Sequence, residues 1–460
     1  MTSSATAPRI SGSAGTPTEW LVRSVAEKLD RAGIVVAWLP CATIPPSSAF
    51  ALAPPSDRTA WIGADGTATV GAGVALELHA AGPQRFSLMQ RLIENAYDSL
   101  RIVAADGART LDPRLYGGFA FRPGGADEPP WSRFGDSRFV LPRLLYRQDG
   151  GGAQVGAVIS TPTSIERQVQ QLVRWRDSLE NAPGLPCPPP ATHFRTDSSP
   201  DLRDRIARAV EATNARGLDK VVVASCQTLE LTPAPDPATT LARLLRESPT
   251  ATKFAFDCHG SCFLGASPER LVLRRGLEVS SEALAGSIRL APGLDAVTLL
   301  GSAKDRNEHA FVVRAIRDAL EPACVELHAP DEPVLRMLQR VAHLSTPVVG
   351  RLRTNLHVLE LVRRLHPTPA VGGSPTEAAL EWIQANEPRP RGWYAGPVGW
   401  VDADGNGEFV VALRSGTLCG SQALLFAGAG VVQGSIPDAE VAEIDVKLAT
   451  FRSAVGVSSQ

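Results

Sequence analysis

Apolar residues recur every three or four positions from Ile165 to Leu179 with charged residues on the opposite face, a spacing that predicts an amphipathic helix. The same period predicts helices over Asp201 to Arg216, Pro237 to Arg246, Asp305 to Leu320 and Thr376 to Asn386. Shorter apolar runs bounded by turn residues read as strands. They fall at Val221 to Ala224, around Phe254 and Phe263, and over Glu278 to Gly286. Further hairpin strands are expected over Gly399 to Arg414, turning at Asp404-Gly405, and over Gln422 to Val432. A β-rich stretch also runs from Tyr116 past Trp131 to Pro142. Strands arriving in hairpin-like pairs predict a largely antiparallel α+β architecture rather than a doubly wound one. Residues 1–20 lack an apolar core and are expected to form a loose, disordered tail. The Pro-rich run from Pro183 to Pro190 is the one plausible internal boundary.

Charge and cysteine usage exclude several classes. Lys and Arg number 46 against 48 Asp and Glu, a formal net charge of −2, so nothing points to nucleic acid or an anionic membrane surface. No apolar run approaches the roughly 18 residues of a spanning helix. The seven cysteines are scattered without a disulfide framework. Cys258-His259-x-x-Cys262 is the one tight cluster, but it lacks the second ligand pair of a structural zinc site. A soluble, cytoplasmic protein with reduced thiols is expected.

The chain has no GxxxxGK[ST], HExxH or GxSxG, and Gly428-Ala-Gly430 reads as a tight turn rather than a dinucleotide fingerprint. The chemistry-bearing residues are therefore carboxylates. Pro437 suits the first turn of a helix, on which Val441, Ile444, Leu448 and Phe451 share one side. Glu440, Glu443 and Lys447 project together from the adjoining side. They form either a surface Glu-to-Lys pair or part of a hard-cation site, since oxygen donors without His or Cys suit Mg²⁺. Lys304-Asp305-Arg306-Asn307-Glu308 is a second acidic patch, readable also as an ordinary acidic first helical turn. Glu269, at a Ser-Pro bend between apolar strands, is either a plain turn carboxylate or a desolvated general acid. Lys220, directly before three valines, is either a solvated strand-edge lysine or a base drawn into a pocket.

These signals gain meaning from their order. KVVVAS, GASPER, SSEALAGS and KDRNEH are followed by AHLSTPVVG, LHPTPAVGG, GPVGWVDADGNGEFVVALRS and FAGAGVVQGSIPDAEVAEIDVK. The series resembles the chorismate-utilising enzymes, which include anthranilate synthase component I, aminodeoxychorismate synthase, salicylate synthase and isochorismate synthase. It runs from about Leu202 to Phe451, with weaker likeness earlier at YGGFAF, Trp131 and FVLP. The resemblance implies one large domain with a β-sandwich-like core and outer helices. Residues 21–195 would form its less typical N-terminal half and 196–455 its chorismate-binding catalytic region. It also implies Mg²⁺ on Glu308 and Glu443, Glu269 as general acid and Lys220 as the base that activates water. Arg414 and Lys447 match residues that hold substrate carboxylates, Gly286 and Gly428 to Gly430 a backbone cradle, and His343 a pocket histidine.

Within the family the discriminating positions resemble isochorismate synthase. Lys220 stands where ammonia-using anthranilate synthases carry Gln, and Ala285 where aminodeoxychorismate synthases carry a nucleophilic Lys. Thr368-Pro-Ala370-Val371 replaces the TASG-type segment of salicylate synthases. Salicylate synthase is the alternative reading. Ser225 departs from the pattern, since an Arg commonly closes that motif. The end, DVKLATF, is similar to siderophore-type isochorismate synthases, and menaquinone biosynthesis is an equally compatible destination. A monomer without a glutaminase subunit is expected.

Overall fold

The structure, a computed structural model, describes residues 17–55, 57–181, 193–198, 201–215, 217–290, 295–338 and 341–457. The expected helices form at Ile165–Glu180, Leu202–Asn214, Pro237–Glu247, Ala303–Leu320, Thr376–Asn386 and Pro437–Ala454. Their starts have local causes. Ser164, Asp236 and Ser302 each accept a bond from a first-turn backbone N–H, and Pro237 and Pro437 open their helices. The Pro17–Ala32 helix begins inside the stretch expected to be a loose tail, because Leu21, Val25 and Leu29 recur on one side and are buried. Residues 1–16 and the Pro-rich run lie outside the described residues.

The strand expected at Val221 to Ala224 extends over Lys220–Thr232. Its first six residues are all buried, which gives the apolar run; beyond Ser225 burial alternates, which the run does not announce. Strand pairing follows two arms that leave the long Ser137–Asp149 strand. One passes through Leu115–Phe119, Pro397–Val401, Gly407–Val411, Arg270–Arg275 and Glu278–Arg289 to Val341–Leu352. The other passes through Ala68–His79, Thr59–Ile62, Thr252–Cys258, Ser261–Ser267, Ser415–Cys419 and Gln422–Val432 to Lys220–Thr232. Every one of these pairings is antiparallel; Ile34–Cys41 and Leu100–Ala104 pair in parallel. Aromatic rings fill the core, with Trp393 against Phe134, Phe256 and Phe263, and Phe119 against Phe139. Among the described residues no helix is long and apolar enough to cross a membrane.

The far ends of the two arms carry the functional surface. Ala303–Leu320 packs on Glu278–Arg289 and Val341–Leu352, while Pro437–Ala454 packs on Gln422–Val432. The two helices thus bring their first turns to one cavity.

Candidate active site

The cavity, of about 240 Å³, is lined by Lys220, Glu269, Gly286, Glu308, His343, Ala370, Arg414, Gly430, Glu443 and Lys447, and also by Glu440, Gly428, Lys304 and Asp305; Arg306, Asn307 and Ala429, named with them from the sequence, are not part of the lining. Positions up to 227 residues apart in the chain therefore meet in one place (Lys220 to Lys447).

Lys220 is not a solvated strand-edge lysine. Its strand pairs with Gln422–Val432 on one side and with Gly373–Ser374 on the other, leaving the side chain 1% exposed. Its ammonium lies 2.8 Å from Glu308 Oε1. The glycine at 430 makes that contact possible, since a Cβ there would come within 2.6 Å of Glu308 Oε1 and 2.9 Å of Lys220 Cε. Strand alternation puts Gly428 and Gly430 on the same face, so together they leave one wall free of side chains. Lys447 donates to the Gly428 carbonyl at 2.8 Å and pairs with Glu443 at 2.7 Å. The i, i+4 Glu-to-Lys pair expected from the spacing is thus present, and both of its residues line the cavity.

Glu269 is 3% exposed and held by its backbone: its N–H donates to Ser267 Oγ, and its carbonyl accepts from Val411. Burial pushes its carboxyl up to about 8; the charge of Glu282 adds to the rise, while Lys220 and Lys447 oppose it. Below that value the protonated form prevails. Glu443 is different. Burial raises it, but the charge and hydrogen bond of Lys447, with help from Ser287, outweigh burial and hold it below the ordinary carboxylate range.

His343 and Arg414 form a second linked pair. Arg414 Nη2 lies 3.1 Å from His343 Nε2, and His343 Nδ1 lies 3.2 Å from the Gly286 carbonyl. A guanidinium only donates, so Nε2 accepts and the ring proton sits on Nδ1, donating to Gly286. Burial, then the charges of Arg414 and Lys447, keep the ring well below its usual basicity, hence neutral. Gly286 interrupts the register between Glu278–Arg289 and Val341–Leu352 at φ +72, a conformation that favours glycine. Its carbonyl is thereby turned to His343 rather than into the ladder. Arg414 itself adopts φ +49.

Sequence reasoning missed Glu387, Arg391 and Tyr394. On its edge away from Gln422–Val432 the Lys220–Thr232 strand pairs with Gly373–Ser374 at its start and with His193–Ser198 from Gln227 onward; in the gap between them, Arg391 Nη2 donates to Val222 O while Glu387 accepts from Ala224 N. Arg391 also pairs with Glu387 at 2.6 Å and donates to Val371 O. Arg391 and Tyr394 line the cavity. They sit in a loop without periodicity, and the available signal was the i, i+4 acid–base spacing of Glu387 and Arg391. Ser225, the departure from the family pattern, is buried and not part of the lining.

Glu308, Glu440 and Glu443 could hold a hard cation. Two or three carboxylate oxygens completed by water and substrate oxygens match the demands of Mg²⁺, and no thiol lines the cavity. They do not form a closed cage: among the described residues, the three ligand atoms that lie within 4.8 Å of one another belong to Asp57, Cys258 and His259. That second cluster is already spoken for. Asp57 pairs with Arg138 at 3.1 Å, and the Cys258 thiol donates to Arg133 O.

A buried glutamate, a buried lysine and clustered carboxylates thus meet in one cavity at the far ends of the two strand arms. The sequence profile described as "Chorismate binding enzyme" matches residues 21–456. The chain is 39% identical over 398 residues to the salicylate biosynthesis isochorismate synthase of Pseudomonas aeruginosa, covering 83% of this chain and 82% of that one. It is 36% identical over 355 residues to isochorismate synthase MenF of Bacillus subtilis, covering 75% of each. The solved structure of MenF, the menaquinone-specific isochorismate synthase of Escherichia coli, superposes with a TM-score of 0.77 at 26% identity, over 96% of this chain and all of that one. Anthranilate synthase component I from Streptococcus pneumoniae shares the fold, with a TM-score of 0.64 at 18% identity over 92% of each chain. The chain belongs to the chorismate-binding enzyme family.

Proposed function

We propose that the protein is an isochorismate synthase, an isomerase that converts chorismate to isochorismate with Mg²⁺ as cofactor. The observation that carries this reading is the pairing of a buried lysine with a buried, protonated glutamate in one cavity, beside carboxylates able to hold a cation. Its relatives' names agree with it. Lys220, rather than the glutamine of ammonia users, supports water as nucleophile.

Mg²⁺ held by Glu308 and Glu443 would neutralise a substrate carboxylate and act as a template for the ring. Arg414, fixed by His343, and Lys447, fixed by the Gly428 carbonyl, are placed to bind carboxylates of the substrate. Lys220, once it has given up its ammonium proton and its pair with Glu308 has opened, takes a proton from water as that water adds at C2. Glu269 gives its proton to the C4 hydroxyl, which leaves as water while the ring double bonds shift. Water is consumed at C2 and released at C4, so the reaction is a net isomerisation.

The mechanism makes a specific labelling prediction. In water enriched in ¹⁸O, isochorismate formed in the first turnovers should carry one solvent oxygen, at C2, read by mass spectrometry. Unlabelled isochorismate would mean that the hydroxyl migrates within the substrate and that Lys220 does not activate water.

A further inference from the structure

Each glutamate of the proposed cation site is already held by an ammonium. Glu308 pairs with Lys220, Glu443 with Lys447 at 2.7 Å, and Glu440 with Lys304 at 3.2 Å. The proposed reaction uses Lys220 and Lys447 but gives Lys304 no task. Lys304 stands in the first turn of Ala303–Leu320 and reaches across to the first turn of Pro437–Ala454, where Glu440 is 4% exposed while Lys304 is 47% exposed. Glu440 is thus a buried carboxylate beside a like charge, and one half-exposed lysine is its cation.

We propose that Lys304 is an internal competitor of the divalent cation, occupying the carboxylate cluster in the metal-free protein and setting how tightly that cluster takes up metal. The inference rests on the magnesium reading of the site. Its chemistry is simple competition. A hard cation draws its binding energy from carboxylate oxygens, and an ammonium on the same cluster both blocks an oxygen and repels the incoming charge. Without a cation, an unpaired Glu440 would be a buried charge close to another carboxylate, an expensive arrangement that the lysine relieves. Lys220 and Lys447 are poorly suited to this part. The first is buried, and the second is also tied to a backbone carbonyl. Among the described residues Lys304 forms its ion pair with Glu440 and is half exposed to water, so it can withdraw when metal enters and return when it leaves.

The test is calorimetric titration of Mg²⁺ into the full-length protein at low ionic strength, without substrate. Wild type is compared with Lys304→Gln, Lys304→Arg and Glu443→Ala, with thermal unfolding as a check on folding. Lys304→Gln should bind Mg²⁺ about 5-fold more tightly, the scale expected for removing one partly exposed opposing charge. Lys304→Arg keeps the charge and should bind like wild type. Loss of binding in Glu443→Ala with no tightening in Lys304→Gln overturns the competitor role while leaving the metal site intact. Wild-type binding in Glu443→Ala overturns the magnesium reading and the competitor role together.

Discussion

Replacing Glu269 by glutamine is expected to lower kcat for isochorismate formation by roughly 10²-fold or more, the usual scale for losing a general acid. KM should change little. The amide fills the same space, and the neighbouring backbone bonds to Ser267 and Val411 remain, but it has no proton to give to the departing hydroxyl. The same carboxyl dictates the pH response. With a value of about 8, the donor form prevails at neutral pH and is lost as pH rises through 8, so the wild-type rate should fall on the alkaline side. Stability follows with a definite sign. The unfolded chain releases this proton near the ordinary carboxylate value while the folded chain keeps it to about 8, so between these values the native state binds more protons. Stability contributed by this group therefore declines as pH rises through that window. Glu269→Gln should unfold at a higher temperature than wild type at pH 9 and show a smaller advantage at pH 5. A variant with wild-type kcat, or with an unchanged alkaline limb, would remove Glu269 from the acid role.

Lys220→Ala should be comparably slow, again by roughly 10²-fold or more in kcat, because among the described residues Lys220 is the buried amine at hydrogen-bond distance from Glu308. Arg414 and Lys447, the anchors proposed for substrate carboxylates, are left untouched by this change, so KM should remain within a few-fold. The variant leaves Glu308 without its lysine partner, and cation uptake can compensate for that lost charge. Activity should therefore be compared at several Mg²⁺ concentrations. Near-wild-type turnover at any of them would mean that another group activates water.

Much of this site was legible from residue type and order, although its depth was not. The Pro437 helix announced its carboxylate face through period and capping alone. Lys220 and Glu269 were readable only as alternatives, surface or catalytic, because burial depends on what packs from distant chain segments. Lys220 is buried by Gly373–Ser374 and Gln422–Val432, far along the chain, and a window of sequence around KVVVAS carries no trace of either. Glu387 and Arg391 illustrate the opposite case. Their task is to satisfy strand edges at Val222 and Ala224, a need that exists only once the sheet has formed. The Pro17–Ala32 helix was overlooked because composition was averaged over residues 1–20, which hid the spacing that begins with Leu21.

The most direct test of the central claim is to incubate purified protein with chorismate and Mg²⁺ and identify the products by chromatography. Chorismate and isochorismate should accumulate to a reversible mixture approached from either side, with little salicylate and no anthranilate even in high ammonium. Apolar Ala370 and Val371 line the cavity, where salicylate synthases resemble a TASG-type segment, and they offer no hydroxyl to hold the pyruvyl arm over the ring. Salicylate and pyruvate appearing in equal amounts without an added lyase would contradict the account.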